Sequence, residues 1–316
     1  MNAIPTYDDV LDAAERIAPH VHRTPVFTSA FLDSLVGASV FLKAENLQKV
    51  GAFKARGAIN AVLLLTDDEA ARGVATQSSG NHGQAVAYAC AVRGIQATII
   101  MPEHAPRIKV DAVRGYGAEI VFCSQSEREQ TLAEFVEVNG SVVVHPFDDA
   151  RVIAGQGTAT LELVEQVQDL DAVITPIGGG GLLTGATIVT GHHDIAAYGA
   201  EPEAVDDAFR SLRDGVRYPA TGVPSVGDGL LTGIGSIPFE ILSGAGTTIL
   251  TVSDDEMLDS MRMLAERTKL VVEPSGATGP AALVRYSEVF RGMRVGVILS
   301  GGNVALELFA PSTSTV

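Results

Sequence analysis

The sequence predicts an α/β protein of two open, mostly parallel lobes with a ligand cleft between them. Three observations carry this. Apolar runs at 73–76, 96–101, 118–122 and 141–145 alternate with segments of helical length at 82–93, 106–115 and 126–138, and strands separated by helices argue a parallel sheet with right-handed crossovers. The same logic restarts with a strand at 171–176 and runs through strands near 196–200, 249–252 and 294–299, with helices near 182–190, 254–268 and 275–286. A strand at 40–44 needs partners outside the first lobe, so residues 75–147 read as a small lobe inserted into a large one made of 1–74 and 148–316. Ligands of such sheets sit near strand carboxyl ends.

Taken in order, Thr6 and Asp9 form a capping box, and Val10, Ala14, Ile17 and Val21 keep helical spacing until Pro19 ends or bends the helix. The strand at 40–44 leads through a loop, Glu45 to Gly51, to Lys54 and a helix carrying Ala58, Val62 and Leu65. Ser253 with Glu256 is a second capping box.

Composition excludes several classes. The chain has 316 residues and is 46% hydrophobic, enough for a large core. A net charge of −16 without a basic patch argues against nucleic acid or an anionic membrane as partner. Cys90 and Cys123 make no disulfide framework and read as small buried hydrophobes in a reducing interior. The N-terminus shows no signal pattern and no run of eighteen apolar residues occurs, so the expectation is a cytoplasmic protein.

Four stretches carry chemistry. In Gly51-Ala52-Phe53-Lys54-Ala55-Arg56-Gly57-Ala58 a lysine, one of five in the chain, sits among residues that leave little room for water. Desolvation lowers an amine's pKa, and a neutral amine condenses with a carbonyl; a lysine at a turn into a helix is the plain alternative. Ser78-Ser79-Gly80-Asn81-His82-Gly83 opens a helix after a strand and offers N–H groups, hydroxyls and an amide to an anion or ring oxygen, or merely caps the helix. Gly178-Gly179-Gly180-Gly181-Leu182 can wrap a phosphate at a helix N-terminus; without Gly-Lys-Ser/Thr it is no Walker loop. Ser300-Gly301-Gly302-Asn303 caps another strand's carboxyl end. One lysine and three glycine-bearing turns together point to one phosphorylated carbonyl cofactor, and pyridoxal phosphate fits. His192-His193 lacks the helical metal-pair spacing, and His20, His22, His104 and His145 show no convergent partners in sequence, so surface or turn roles are expected of them.

With these motifs, together with Lys43-Ala44-Glu45 and Ile153-Ala154-Gly155-Gln156-Gly157-Thr158, the chain resembles the pyridoxal-phosphate enzymes of the serine/threonine dehydratase and serine racemase family over nearly its whole length. The resemblance implies the tryptophan synthase beta-like architecture, fold type II, with pyridoxal 5'-phosphate in the cleft. It implies that Lys54 holds the cofactor covalently and acts as base at the substrate α-carbon, that Phe53 packs against the ring, and that Asn81 bonds the ring hydroxyl. Gly178, Gly179, Gly180, Gly181 and Leu182 would bind the phosphate, Ser300 would contact the ring nitrogen, and Glu273 would lie near the ring. Ser78, Ser79, Asn81, His82 and Arg128 would bind substrate. Ser79 resembles the racemase-like branch, where it supplies a second acid/base group on the face opposite the lysine. A surface ion pair with Glu127 or Glu129 is the alternative for Arg128. Glu201, Asp207 and the Val205 carbonyl resemble that branch's Mg²⁺ or Mn²⁺ site; the alternative is that Asp206 and Asp207 start a helix.

The implied reaction converts a β-hydroxy amino acid (serine, threonine or 3-hydroxyaspartate) to a 2-oxo acid and ammonia, with racemisation possible alongside or dominant. A homo-oligomer, a dimer, and no isoleucine-regulated extension are expected. The competing readings are a β-replacement synthase of the same fold and a non-enzymatic phosphate binder.

Overall fold

A computed structural model describes residues 4–78, 80–105 and 107–309. The elements run α1 (Tyr7–Ile17), β1 (Val26–Phe27), α2 (Ala30–Val36), β2 (Ser39–Lys43), α3 (Lys54–Leu63), α4 (Asp67–Ala71), β3 (Val74–Gln77), α5 (Asn81–Arg93), β4 (Ala97–Pro102), α6 (Arg107–Gly115), β5 (Glu119–Cys123), α7 (Arg128–Asn139) and β6 (Val142–Val143). They continue with α8 (Ala150–Gln166), β7 (Ala172–Pro176), α9 (Gly181–His192), β8 (Ala196–Pro202), α10 (Asp207–Asp214), α11 (Ser236–Gly244), β9 (Thr248–Val252), α12 (Asp254–Thr268), α13 (Pro274–Arg285), α14 (Ser287–Phe290) and β10 (Arg294–Ile298).

Two sheets result. One has the order β5-β4-β3-β6 and is parallel throughout; the other runs β1-β2-β10-β7-β8-β9 and is parallel except for the antiparallel β1. The strand expected at 40–44 finds its partner in β10, with Ile298 opposite Lys43. Both capping boxes form, Thr6 with Asp9 and Ser253 with Glu256. Their reciprocal bonds satisfy helix-end N–H groups that water would otherwise have to serve. Cys90 and Cys123 are buried free thiols, and burial pushes Cys90 up to about 12. No helix of the described residues is long and apolar enough to cross a membrane.

The apolar cores do not follow the sheets strictly. Ile17, Val50, Ala55, Ala58, Ile59 and Val62 pack with Val74, Val86 and Ile99 of the smaller sheet's layer. Helix α3, which begins at Lys54, is therefore held between that layer and α8. A Cβ on Gly155 would come within 2.7 Å of the Arg56 carbonyl oxygen and of the Gly57 Cα, so only glycine lets the two helices approach this closely. Behind this crossing lies a buried ion network. Arg56 grips Glu45 through Nε at 2.7 Å and Nη2 at 2.8 Å, and Glu162 through Nη1 at 2.8 Å and Nη2 at 2.9 Å. Lys43 donates to Glu162 at 2.6 Å, to Gln166 at 2.8 Å and to the Thr24 carbonyl at 2.9 Å. Two cations thus meet two carboxylates away from water.

Candidate active site

Lys54 opens α3, with Phe53 in the N-cap position. Its Nζ donates to the Pro146 carbonyl at 2.9 Å and lies 5.1 Å from the centre of the Phe53 ring. No carboxylate pairs with it in the described residues, and burial lowers its pKa from 10.5 to about 8. The amine is thus close to neutral in mildly basic solution, as a nucleophile or base requires.

The next residue after Pro146 connects this amine to the tetraglycine turn. Phe147 lies directly against Gly179, so closely that a Cβ on Gly179 would fall inside its ring. The turn follows β7; Gly180 adopts φ +95, a left-handed conformation natural to glycine, and α9 begins at Gly181. The first-turn N–H groups of Gly181, Leu182 and Leu183 have no intrahelical acceptor, and the helix dipole adds to their attraction for an anion. The whole turn from Gly178 to Leu182 is buried. Leu182 belongs to an apolar cluster against which Phe53 also packs.

Ser300 joins the same place from the end of β10. It is buried, and its carbonyl accepts from the Phe53 N–H at 2.9 Å. Opposite, Asn81 starts α5 and donates through Nδ2 to Glu273 Oε1 at 2.7 Å. Glu273 is 6% exposed, and burial, with the charge of Asp228, raises its pKa to about 8. Lys109 of α6 and Asp228, 2.8 Å apart, form an ion pair across this mouth of the cleft.

The expected substrate residues are placed as follows. Ser78 turns its Oγ to accept from the Gly80 N–H at 3.1 Å, which shapes the turn. Ser79 lies outside the described residues. His82 Nε2 donates to the Val144 carbonyl at 2.9 Å, so Nδ1 carries the lone pair; that atom is buried without a partner. Burial, with Lys54 and His145 nearby, drives its pKa down to about 3, so the ring is neutral. Arg128 begins α7, half-buried, with its Nε buried and unpartnered among the described residues. Glu127 accepts from Ser124 at 2.6 Å, and no ion pair ties Arg128 to it or to Glu129 among the described residues.

The acidic pair lies farther along the same edge. Glu201 accepts from the Ala208 N–H at 3.0 Å and the Phe209 N–H at 2.9 Å, and so caps α10. Asp207 is the first residue of that helix; its Oδ2 accepts from the Ile234 N–H at 3.1 Å and its Oδ1 is buried without a partner. Burial raises both carboxyls, Glu201 to about 8 and Asp207 to about 6. Val205 is buried between them in sequence. Among the described residues no group of three or more His, Cys, Asp or Glu side chains could hold a metal; the expected set has two carboxylates and a main-chain oxygen.

Three contributors gave no sign in the sequence. His145 accepts at Nδ1 from the Asp148 N–H at 2.9 Å and the Phe147 N–H at 3.4 Å, which fixes the bend carrying Pro146 and Phe147. With Phe147 and Asp148 it lines an open cavity of about 370 Å³ whose lining also includes Arg217, Tyr218 and Ile234. The Lys109–Asp228 pair joins residues 119 positions apart and carries no local signal.

Residues 17–301 match the family model described as "Pyridoxal-phosphate dependent enzyme". The chain is 47% identical over 308 residues to the beta-hydroxyaspartate dehydratase of Paracoccus denitrificans (strain Pd 1222), a match spanning 96% of this chain and 98% of that protein. It is 44% identical over 312 residues to the L-threo-3-hydroxyaspartate ammonia-lyase of Saccharomyces cerevisiae (strain ATCC 204508 / S288c), spanning 97% and 96%. The crystal structure of serine racemase from Dictyostelium discoideum superposes with a TM-score of 0.92 at 42% identity, over 96% of this chain and 100% of that one.

Proposed function

The chain belongs to the pyridoxal-phosphate dependent enzyme family, and from that premise we propose that it converts a β-hydroxy amino acid to a 2-oxo acid and ammonia, with 3-hydroxyaspartate preferred to serine and threonine. The observation that carries this is the desolvated Lys54 amine, without a carboxylate partner among the described residues and joined through Pro146 and Phe147 to the tetraglycine turn. Two relatives named for hydroxyaspartate chemistry support the substrate. The unpartnered Arg128 Nε supports it further, since a dicarboxylate has a second anion for a guanidinium to take.

When bound, pyridoxal phosphate supplies an aldehyde for amine exchange and a ring that accepts the electron pair left at the substrate α-carbon. The glycine-built cradle fits its phosphate: Gly178 to Leu182 hold it through backbone N–H groups. Phe53 would pack on the ring, Asn81 would offer an N–H to the ring oxygen, and Ser300 would hold the ring nitrogen. Glu273, protonated below about pH 8, adds no negative charge there. Lys54, neutral once displaced, takes the proton from the α-carbon. The Arg128 guanidinium orients a substrate carboxylate, while neutral His82, whose free Nδ1 can only accept, supports the substrate turn through its bond to the Val144 carbonyl. The β-hydroxyl departs as water with the proton that Lys54 has taken, and the enamine released adds water to give the 2-oxo acid and ammonia. Racemisation is the second reading, favoured by the likeness to a serine racemase; Ser79 would then return the proton from the opposite face.

Purified protein given 3-hydroxyaspartate, serine and threonine separately should release 2-oxo acid and ammonia, fastest from 3-hydroxyaspartate, while the chirality of residual serine reports racemisation. Release from none of the three, with thioether formed when a thiol is added, would replace this reading by the synthase. The proposal extends to a cytoplasmic homodimer, which gel filtration would report at about twice the 32.9 kDa chain mass.

The proposal also places Mg²⁺ or Mn²⁺ on Glu201, Asp207 and the Val205 carbonyl. Capping of α10 accounts for the Glu201 oxygens, but not for the buried, unpartnered Asp207 Oδ1, and a hard cation suits that oxygen set. The pH dependence has a definite sign. Both carboxyls titrate higher folded than unfolded, so without cation the fold binds extra protons and loses stability as pH rises from about 4 towards 8. A cation favours the ionised forms, so the rise in melting temperature on adding Mg²⁺ or Mn²⁺ should grow across pH 6 to 8. At a hundredfold excess over Kd the added stability behind that rise is about 2.7 kcal/mol. A melting temperature indifferent to both cations and to chelator at pH 8 would leave only the helix-start role.

A further inference from the structure

Resting on the reading above that pyridoxal phosphate occupies this cleft, we infer that Asn303 is a positioning residue that sets which end of the Asn81 amide faces the cofactor and locks the loop that delivers Lys54. Asn303 Nδ2 donates to the Val50 carbonyl at 2.7 Å and to Asn81 Oδ1 at 2.8 Å. Both partners are acceptors, so the nitrogen occupies this position and both of its hydrogens are used. Asn81 is thereby fixed in turn. Its Oδ1 is occupied by Asn303, and its Nδ2 donates one hydrogen to Glu273 Oε1 at 2.7 Å. One N–H of Asn81 is left over, and it is a donor. Asn81 therefore offers the cofactor's ring oxygen a hydrogen bond and never a lone pair.

The second half of the role lies in the loop. Val50 holds φ 55 and ψ 14, the left-handed region, where a β-branched residue is strained. Gly51 follows at φ +68, and a Cβ there would come within 2.5 Å of Asn303 Oδ1. The Asn303 bond to the Val50 carbonyl holds this strained pair four residues before Lys54, while the Gly302 N–H donates to the Gly51 carbonyl at 2.9 Å. One amide therefore joins the lysine-bearing loop to the first residue of α5, across the cleft.

Asn303→Asp keeps the size of the side chain but has no hydrogens for either acceptor. With the Asn81 amide released, the absorbance of the bound cofactor should change its maximum, and the pH midpoint of that absorbance should move by about one unit or more. We expect kcat to fall about 10–100-fold with a smaller change in KM, since Asn303 does not touch Arg128 and reaches the site only through the Asn81 amide. Should Asn303→Asp fail to fold, as read by thermal unfolding, Asn303→Ser carries the same measurement. In the wild-type holoenzyme the Asn303 side-chain amide protons should exchange slowly with solvent by NMR. A folded variant whose spectrum and midpoint match the wild type overturns the inference, whatever its kcat, and so do fast-exchanging amide protons. A colourless wild-type protein would instead overturn the cofactor reading on which the inference rests.

Discussion

Lys54→Ala should lose at least about 10³-fold in turnover of every substrate. The amine serves twice, as the anchor for the cofactor aldehyde and as the base at the α-carbon, and the other lysine at the cleft, Lys109, is held in its pair with Asp228. Of the remaining three, Lys43 is tied into the ion network, Lys49 begins the turn that precedes Lys54, and Lys269 ends α12. The variant should bind cofactor only reversibly, so dialysis should bleach it and borohydride should fix no label. The lowered pKa gives a second signature. Neutral amine increases as pH rises through the folded pKa of about 8, so the rate at which cofactor-free wild type captures pyridoxal phosphate should rise with a midpoint near 8 instead of 10.5. At pH 7 that is about a 300-fold larger neutral fraction than an ordinary lysine has. Full turnover by Lys54→Ala would end the proposed function, and a capture midpoint at 10.5 would show the amine to be solvated.

Arg56→Leu should destabilise the fold by about 3–5 kcal/mol, the usual effect of removing one partner from a buried ion cluster. Arg56 and Glu45 have no exposed side-chain surface, and Glu162 has 13%. With Arg56 gone, Glu45 keeps the Thr24 hydroxyl at 2.6 Å as its one side-chain hydrogen bond among the described residues, and Glu162 keeps Lys43. Arg56→Lys should recover part of the loss, because one ammonium cannot form two bidentate pairs. Urea unfolding measures both. Acid acts on the same cluster. Burial alone would raise Glu162, but the bonds and charge of Arg56, with Lys43, hold it below the ordinary carboxylate value. Its contribution is therefore complete above about pH 4.5 and is lost as pH falls through the lowered value. An Arg56→Leu protein as stable as wild type would mean that the cluster is dispensable.

The strands were legible because a parallel sheet covered on both faces demands contiguous apolar runs, as in β4, whose six residues are all buried. Helices with a wet face, such as α12, announced themselves by capping and by period. Helix α8 did not. From Val152 to Leu161 it is buried on every side, so no polar stripe marks it, and two glycines in its middle argue against a helix until Gly57 and Gly185 are seen pressed against them. Strand β6 was expected over 141–145 but pairs only at Val142 and Val143, since His145 turns its ring back to the Phe147 and Asp148 N–H groups. In the candidate site, local motifs marked Lys54, Asn81 and the tetraglycine turn. The place of Asn303 could be seen within its motif but not its bonds, because Val50 and Asn81 are 253 and 222 positions away. The cofactor reading came from combining the turns with a family resemblance, and the matching family model and relatives support it.

The pairing of β2 with β10 has a consequence for how the protein is born. Ser39 to Lys43 lie beside Arg294 to Ile298 in register, so a segment made early must wait on the ribosome for one made some 250 residues later. Until then β2 has β1 on one edge and an open hydrogen-bonding edge on the other, while the β3–β6 sheet already has all its strands. Lys54 follows the early strand and Ser300 the late one. A nascent chain stopped before residue 294 therefore has its coenzyme-capturing amine without the wall that faces it, and a sticky strand edge in place of a finished sheet.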